Sequence, residues 1–336
     1  MGRTIAHIPR REWRAALTGC LALAAVLQIA APAVADSAVA APIESRNLSP
    51  LYAGLGIPVL RGVAAPQPGE WRARYGLHWA SHSVRVTGPE AALELDGETQ
   101  RHDLSLRLGI TDRLSVEANL PFLNHRAGSL DSLIDDWHGF WGLPDGFRDD
   151  QPRDRLRFAY TARPGFTLDE SASGPGDAEL GLSWRLLERE TAMLAVFAQA
   201  KLATGDRDRL TGSGDRGFSA GVRATFPACF LEALACHAQL GVAGIGRIAY
   251  APDADRRAAF ASFALAWSVS ARVALVGQLD AHSVVYGSRP LDGRGAPVWG
   301  TLGLRWSLAD AWTLDAGFSE DLAVGAAPDI TFMIGL

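Results

Sequence analysis

The sequence predicts an all-β fold, a transmembrane antiparallel β-barrel of about 12 strands with one long outer loop that carries a short amphipathic helix. Three observations predict it. From Trp71 onward, apolar residues alternate with small, polar or charged ones, the period of a strand and not of a helix. The connections between these runs are short and long in turn, which is the rhythm of an outer-membrane barrel. Aromatic residues gather near both ends of the runs, as in the two interfacial girdles of such barrels.

The N-terminus is read as a signal peptide over residues 1–35. Arg3, Arg10, Arg11 and Arg14 form a basic start, and an apolar run from Ala15 to Ala31 follows. Ala33-Val34-Ala35 then supplies the small residues of a cleavage site, with Asp36 as the new first residue. Leu17-Thr18-Gly19-Cys20 also fits a lipobox, but most of the apolar run comes after that Cys. Processing removes four Arg and one Glu, so the formal charge of −5 moves to about −8. No apolar run of about 18 residues follows, so no membrane-spanning helix is expected. Residues 36–69 are expected as a periplasmic N-terminal segment and residues 70–336 as the barrel.

Within the barrel, Leu104, Leu106, Leu108 and Ile110 share one face, while Ser105 and Arg107 share the other. After Thr111-Asp112-Arg113, the residues Leu114, Val116, Ala118, Leu120 and Phe122 repeat the pattern against Ser115, Glu117 and Asn119. Leu180, Leu182 and Trp184 continue it, then Val222, Ala224 and Phe226, then Leu302, Leu304 and Trp306. Ile330, Phe332, Ile334 and Leu336 end the chain on the apolar phase. The runs fall near 70–80, 98–110, 114–124, 177–187, 191–203, 215–226, 235–246, 258–268, 272–282, 297–308, 312–322 and 329–336. Short connections follow 110, 187, 226, 268 and 308, and longer ones follow 80, 124, 203, 246, 282 and 322. An even strand count places both ends of the barrel on the periplasmic side. Trp71, Trp184, Phe226, Trp267, Trp306 and Trp312 mark one girdle, and Trp79, Phe122, Phe218 and Phe318 mark the other.

The longest connection, about 125–176, contains the stretch DDWHGFWGLPDGFRDD. Leu130, Leu133, Ile134, Trp137 and Trp141 recur at three- and four-residue spacing, which predicts a short amphipathic helix. Gly142 and Pro144 would end it, and 155–172 reads as an extra hairpin. Trp137, His138, Phe140, Trp141, Pro144, Phe147 and Arg148 are the candidates for a lid or constriction at the barrel mouth, ranked above contact with the outer leaflet.

The segment IDDWHGFWGLPDGFRDD, followed by Gly-Pro-Gly-Asp at 174–177, resembles the family called domain of unknown function 3187. So do RNLSPLYAGLGIPVLRG near the start and FSEDLAVGAAPDITFMIGL at the end. The resemblance spans nearly the whole processed chain and implies an outer-membrane barrel. It brings no activity and no catalytic residue. Leu336 departs from the terminal Phe or Trp common in such barrels.

Charged residues on the inward phase are the lumen candidates: Arg72, Arg74, Asp103, Arg107, Glu117, Glu179, Arg185, Lys201, Arg223, Asp280, Arg305 and Asp315. A charge facing lipid at mid-bilayer costs roughly 2–4 kcal/mol, so these residues belong in the lumen or at the rim. A wet lumen lined by both signs is suited to a narrow or gated channel for a small solute, and a structural envelope role is the bland form of the same reading. The alternative from a different class is a lipid-acting hydrolase of the outer membrane. Those enzymes resemble one another in a His-x-Ser pair on one strand face. Here His82-Ser83 and His282-Ser283 are adjacent and point to opposite faces, and no catalytic residue is named. Asp145, Asp149 and Asp150 are candidates for Ca²⁺, although Arg148, Arg153, Arg155 and Arg157 interleave with acidic groups there. No other cofactor is expected. Cys229 and Cys236 read as a disulfide across a turn in an oxidising compartment. The expected partners are outer-membrane lipids, the barrel-assembly machinery and a small solute. No basic tract suggests nucleic acid, and the expected location is the cell outer membrane of a Gram-negative envelope.

Overall fold

In the computed structural model, the described residues are 39–336, except 89–90, 133, 135, 137–138, 140–152, 287–294 and 324. The strands run β1 Trp71–Thr87, β2 Ala92–Gly109, β3 Leu114–Arg126, β4 Arg157–Tyr160, β5 Phe166–Leu168, β6 Ala172–Pro175, β7 Glu179–Glu188 and β8 Met193–Lys201. They continue as β9 Gly217–Phe226, β10 Leu234–Gly244, β11 Arg257–Ser268, β12 Val273–His282, β13 Val298–Ala309, β14 Trp312–Asp321 and β15 Ile330–Gly335.

Twelve of these strands close a barrel: β1–β3 and β7–β15, each antiparallel to its neighbours. Closure is made by β1 on β15, with Gly76 opposite Gly335 and Ser81 opposite Ile330. Most barrel strands are 9–13 residues long, about what a tilted strand needs to cross a bilayer. The outward phase is apolar and open. Leu104, Leu120, Leu182, Leu240, Leu279, Leu302 and Ile334 are all more than two-fifths exposed. The inward phase is polar and buried. That inversion is the pattern of a wall with lipid outside.

The β1–β2 hairpin is longer than its sequence suggested. The alternation was expected to stop near residue 80, but β1 continues to Thr87 and β2 begins at Ala92. At about 3.3 Å per residue, the 17 residues of β1 span well beyond an apolar band of roughly 25 Å. The excess is covered by the long connection between β3 and β7. There β4 pairs with the start of β2, and β5 pairs with β4, at the place of the expected extra hairpin. β6 extends the line of β7 along β3.

The segment expected outside the barrel lies within it. From Val39 to Ala64 the chain is packed against the inner wall, with Ile43, Leu48, Leu51, Leu55 and Leu60 at most 3 % exposed. Each fully buried apolar side chain of this size is worth roughly 1.5–3 kcal/mol, which a freely hanging tail would forgo. The segment makes two legs. One rises from the short-turn end, where His237 donates to the Ala40 carbonyl (2.8 Å) and Arg305 to that of Pro42 (2.9 Å). It turns at the long-loop end through a 3-10 turn, Ala53–Leu55, closed by Gly56 at φ 72°. The other leg descends past Ser219, which donates to Gly56 O (3.1 Å), and past Gln239, which donates to Pro58 O (3.0 Å). Val63 N–H then meets the Thr225 hydroxyl near the short-turn end. Its prolines and extended backbone join no ladder with the wall. Its carbonyls are satisfied by wall side chains instead.

At the tip, Leu51, Tyr52 and Leu55 enter an apolar cluster with Leu93, Leu95, Phe158, Tyr160, Ile248 and Tyr286 from the long-loop end. That cluster roofs the lumen.

Candidate functional site: the filled lumen

Eight of the expected lumen residues meet inside the barrel with four that sequence reading left out: Glu44, Arg46 and Arg61 of the N-terminal segment and Arg101 of β2. Arg61 binds Glu44 (2.8 Å) and the wall carboxylate Glu117 (2.7 Å). Glu117 also lies 3.2 Å from Arg107 and 3.5 Å from Arg223. Arg46 reaches Glu179 through two hydrogen bonds (3.1 and 3.0 Å) and approaches Asp103 at 3.9 Å. Asp103 is held in turn by Arg101 (2.8 Å). Asp315 is shared by Arg74 (3.2 Å) and Arg305 (3.3 Å).

The geometry depends on small residues. Arg74 crosses the wall above Gly76 and Gly335, where an added Cβ would collide with its guanidinium. Gly303 leaves room for Ile43 of the rising leg, whose Cδ1 a Cβ would strike. Burial alone would raise the Glu44 carboxyl, but attraction to Arg61 and Arg74 outweighs it and holds the group well below the usual carboxylate range.

The remaining candidates sit apart. Lys201 is at the long-loop end, where its ammonium donates to Asp177 (2.7 Å), to the Asp215 carbonyl (2.6 Å) and to the Ser213 hydroxyl, tying down residues 202–216. Arg72 pairs with Glu70 at the short-turn rim and is half exposed. Arg185 pairs with Glu188 (2.9 Å) near the same end. Asp280 faces inward and accepts from Gln278 (2.8 Å). Cys229 and Cys236 are joined in a disulfide, with Cα atoms 5.8 Å apart.

The long loop adds an unexpected placement. Its candidates Trp137, His138, Phe140, Trp141, Pro144, Phe147 and Arg148, and the acidic residues Asp145, Asp149 and Asp150, lie outside the described residues. The described start of the loop is on the outer face of the wall. Leu130 and Ile134 pack with Ile330 against Trp79, Phe318 and Phe332, all on the outward phase. Ile134 N–H donates to Leu130 O (2.9 Å), one helical turn. The fastening is Glu98, an outward-facing carboxylate with 0 % exposure. It accepts from the amides of Ser129 and Leu130 and from Trp79 Nε1 (2.6 Å). Trp79 and Phe318, expected in an aromatic girdle, are therefore covered by the chain's own loop.

One hydroxyl stands between two imidazoles, Thr99 between His82 (2.9 Å) and His125 (3.0 Å). It is buried under Phe158, without the access a nucleophile needs. Among the described residues there is no group of three or more side chains suited to hold a metal ion.

A gap of about 30 Å³ remains between the N-terminal segment and the wall, room for about two water molecules. Ser45, Arg46 and Asn47 line it on one side and Arg101, Asp280 and Trp299 on the other.

Comparison with known proteins adds the fold and a family. The chain is similar to the COG4313 outer membrane channel of Pseudomonas putida F1 at 14% identity and a TM-score of 0.50, over 81% of this chain and 96% of that one. It is also similar to the NanC porin at 7% identity and a TM-score of 0.44, over 79% and 98% of the two chains. At 14% identity the likeness to the COG4313 channel concerns the fold alone. No curated protein matches the chain in sequence. Residues 18–336 match the model described as protein of unknown function (DUF3187), and the chain belongs to that family.

Proposed function

We propose that this protein is a passive channel of the bacterial outer membrane for small polar solutes, held shut by its own N-terminal segment. A barrel of twelve strands is wider than those filled by wall side chains alone and narrower than open porins. Here the space left over is occupied by residues 39–64. The observation that carries the reading is how that segment is held. It shares no ladder with the wall, and its contacts are side-chain hydrogen bonds, ion pairs and apolar packing. The segment can therefore move without breaking the barrel, and a charged, wettable wall is left behind.

The same reading puts residues 1–35 to use as an export signal, the disulfide in the periplasm and the apolar outer face against lipid, with the assembly machinery as the partner that inserts it. The test is single-channel conductance of refolded protein in planar bilayers, beside a variant lacking residues 39–66. Rare small steps from the full chain and frequent larger steps from the deletion are expected. Silence from both, with heat-modifiable gel migration showing folded barrels, would sink the channel.

A further inference from the structure

The gap between the N-terminal segment and the wall differs from the rest of the lumen in one respect. Asp103, Glu117, Glu179 and Asp315 each have an arginine within ion-pair distance. Asp280, 3 % exposed, has none among the described residues; it accepts only from Gln278 and Ser262. Arg101, on the same gap and 4 % exposed, spends its Nε on Asp103 and leaves Nη2 with no hydrogen-bond partner among the described residues. Burying a carboxylate away from a cation and a guanidinium N–H away from an acceptor is costly twice over. Such unmet groups on one cavity are better explained by a visitor than by packing.

We infer that the Arg101–Asp280 gap is the solute subsite of the channel, and that it takes a small zwitterion of amino-acid type. The solute's carboxylate would meet Arg101 Nη2, beside Arg46, and its ammonium would meet Asp280. Trp299 and His282 give the gap flat walls. A simple anion is disfavoured by Asp280, and a simple cation by Arg46 and Arg101. A neutral polyol would lose the charge assistance at both ends. The present volume has room only for water-sized molecules, but Ser45, Arg46, Asn47, Tyr52 and Pro58 of the N-terminal segment form the opposite side. Withdrawal of that segment enlarges the site while Arg101 and Asp280 stay on the wall.

This inference rests on the channel reading, and one experiment separates the two. Full-length protein and the Arg61→Gln variant are placed in proteoliposomes, and uptake is compared for β-alanine, propionate, propylammonium and 1,3-propanediol, which have similar size. β-Alanine is expected to enter about five-fold faster than the diol, the gain of a charged over a neutral hydrogen bond. Arg101→Gln and Asp280→Asn should each bring its uptake down to the diol's rate. The isosteric Asp280→Asn carries the test alone if loss of Arg101 prevents folding. Equal uptake of all four solutes overturns the subsite and leaves the channel standing. No uptake of any solute, from folded barrels of both proteins, overturns both.

Discussion

Arg61 of the N-terminal segment and Glu117 of the barrel wall form a buried ion pair 2.7 Å long. It is the place where the two parts of the molecule are most firmly joined, because Arg61 also holds Glu44 across the two legs. Breaking a buried pair by removing one partner costs about 3–5 kcal/mol, since the other charge stays behind. Arg61→Gln should therefore unseat the segment while leaving the ladder intact. The expected result is a rise in open probability in planar bilayers with unchanged gel migration of the folded barrel.

Gly303 and Ile43 give a second handle. A leucine at 303 would occupy the space of the Ile43 side chain and crowd the Ala316 carbonyl, 2.7 Å from the added Cβ. Overpacking of this kind costs about 1–3 kcal/mol. Gly303→Leu should weaken seating of the rising leg, read as faster proteolysis near residues 40–45 in folded protein. Gly303→Leu combined with Ile43→Ala should recover the part of the protection lost to the Ile43 clash and not the part lost to the Ala316 carbonyl.

The closed state should persist in mild acid. The Glu44 carboxyl is held below its ordinary value of 4.5, so its contribution is present above that value and is lost only as pH falls through the lower, folded one. Conductance of the full chain should stay low from pH 7 down to about 4. A channel that opens on acidification within that range would contradict the Glu44–Arg61–Arg74 contact.

Glu98 should control the long loop independently of the lumen. Glu98→Gln keeps the shape and removes the charge that the Ser129 and Leu130 amides and Trp79 Nε1 share. A lost charged acceptor costs about 1–3 kcal/mol, so cleavage within 127–156 by added protease should quicken by about fivefold or more. Conductance should not change. A change in both would mean that the loop also reaches the lumen.

The wall was legible because one rule governs it: every second residue must suit lipid, and a single register slip would turn leucines inward. Leu104 with Arg107 and Leu302 with Arg305 announced their faces in the sequence. The lumen filling was not legible, because residues 39–67 obey no period. Their folding signal is of another kind, a Pro- and Gly-rich segment that is too apolar for a free tail yet carries Glu44, Arg46 and Arg61. Glu98 was hidden for the opposite reason. Its position is on the lipid phase, where a carboxylate looks misplaced until the amides that cover it, some 31 residues later, are brought alongside. The β1–β2 extension does not follow from the lipid rule, because Val84, Val86, Leu93 and Leu95 alternate outside the bilayer, packed against protein instead of lipid.

The two legs of the N-terminal segment have a consequence for the order of assembly. They are made before the strands, but their partners are scattered over β1, β2, β3, β7, β9, β10, β12 and β13, most of the circuit of the wall. The ring of contacts exists only once β15, the last strand made, has met β1. Full docking of this segment therefore requires the closed cylinder, because its partners lie on both sides of the seam between β1 and β15.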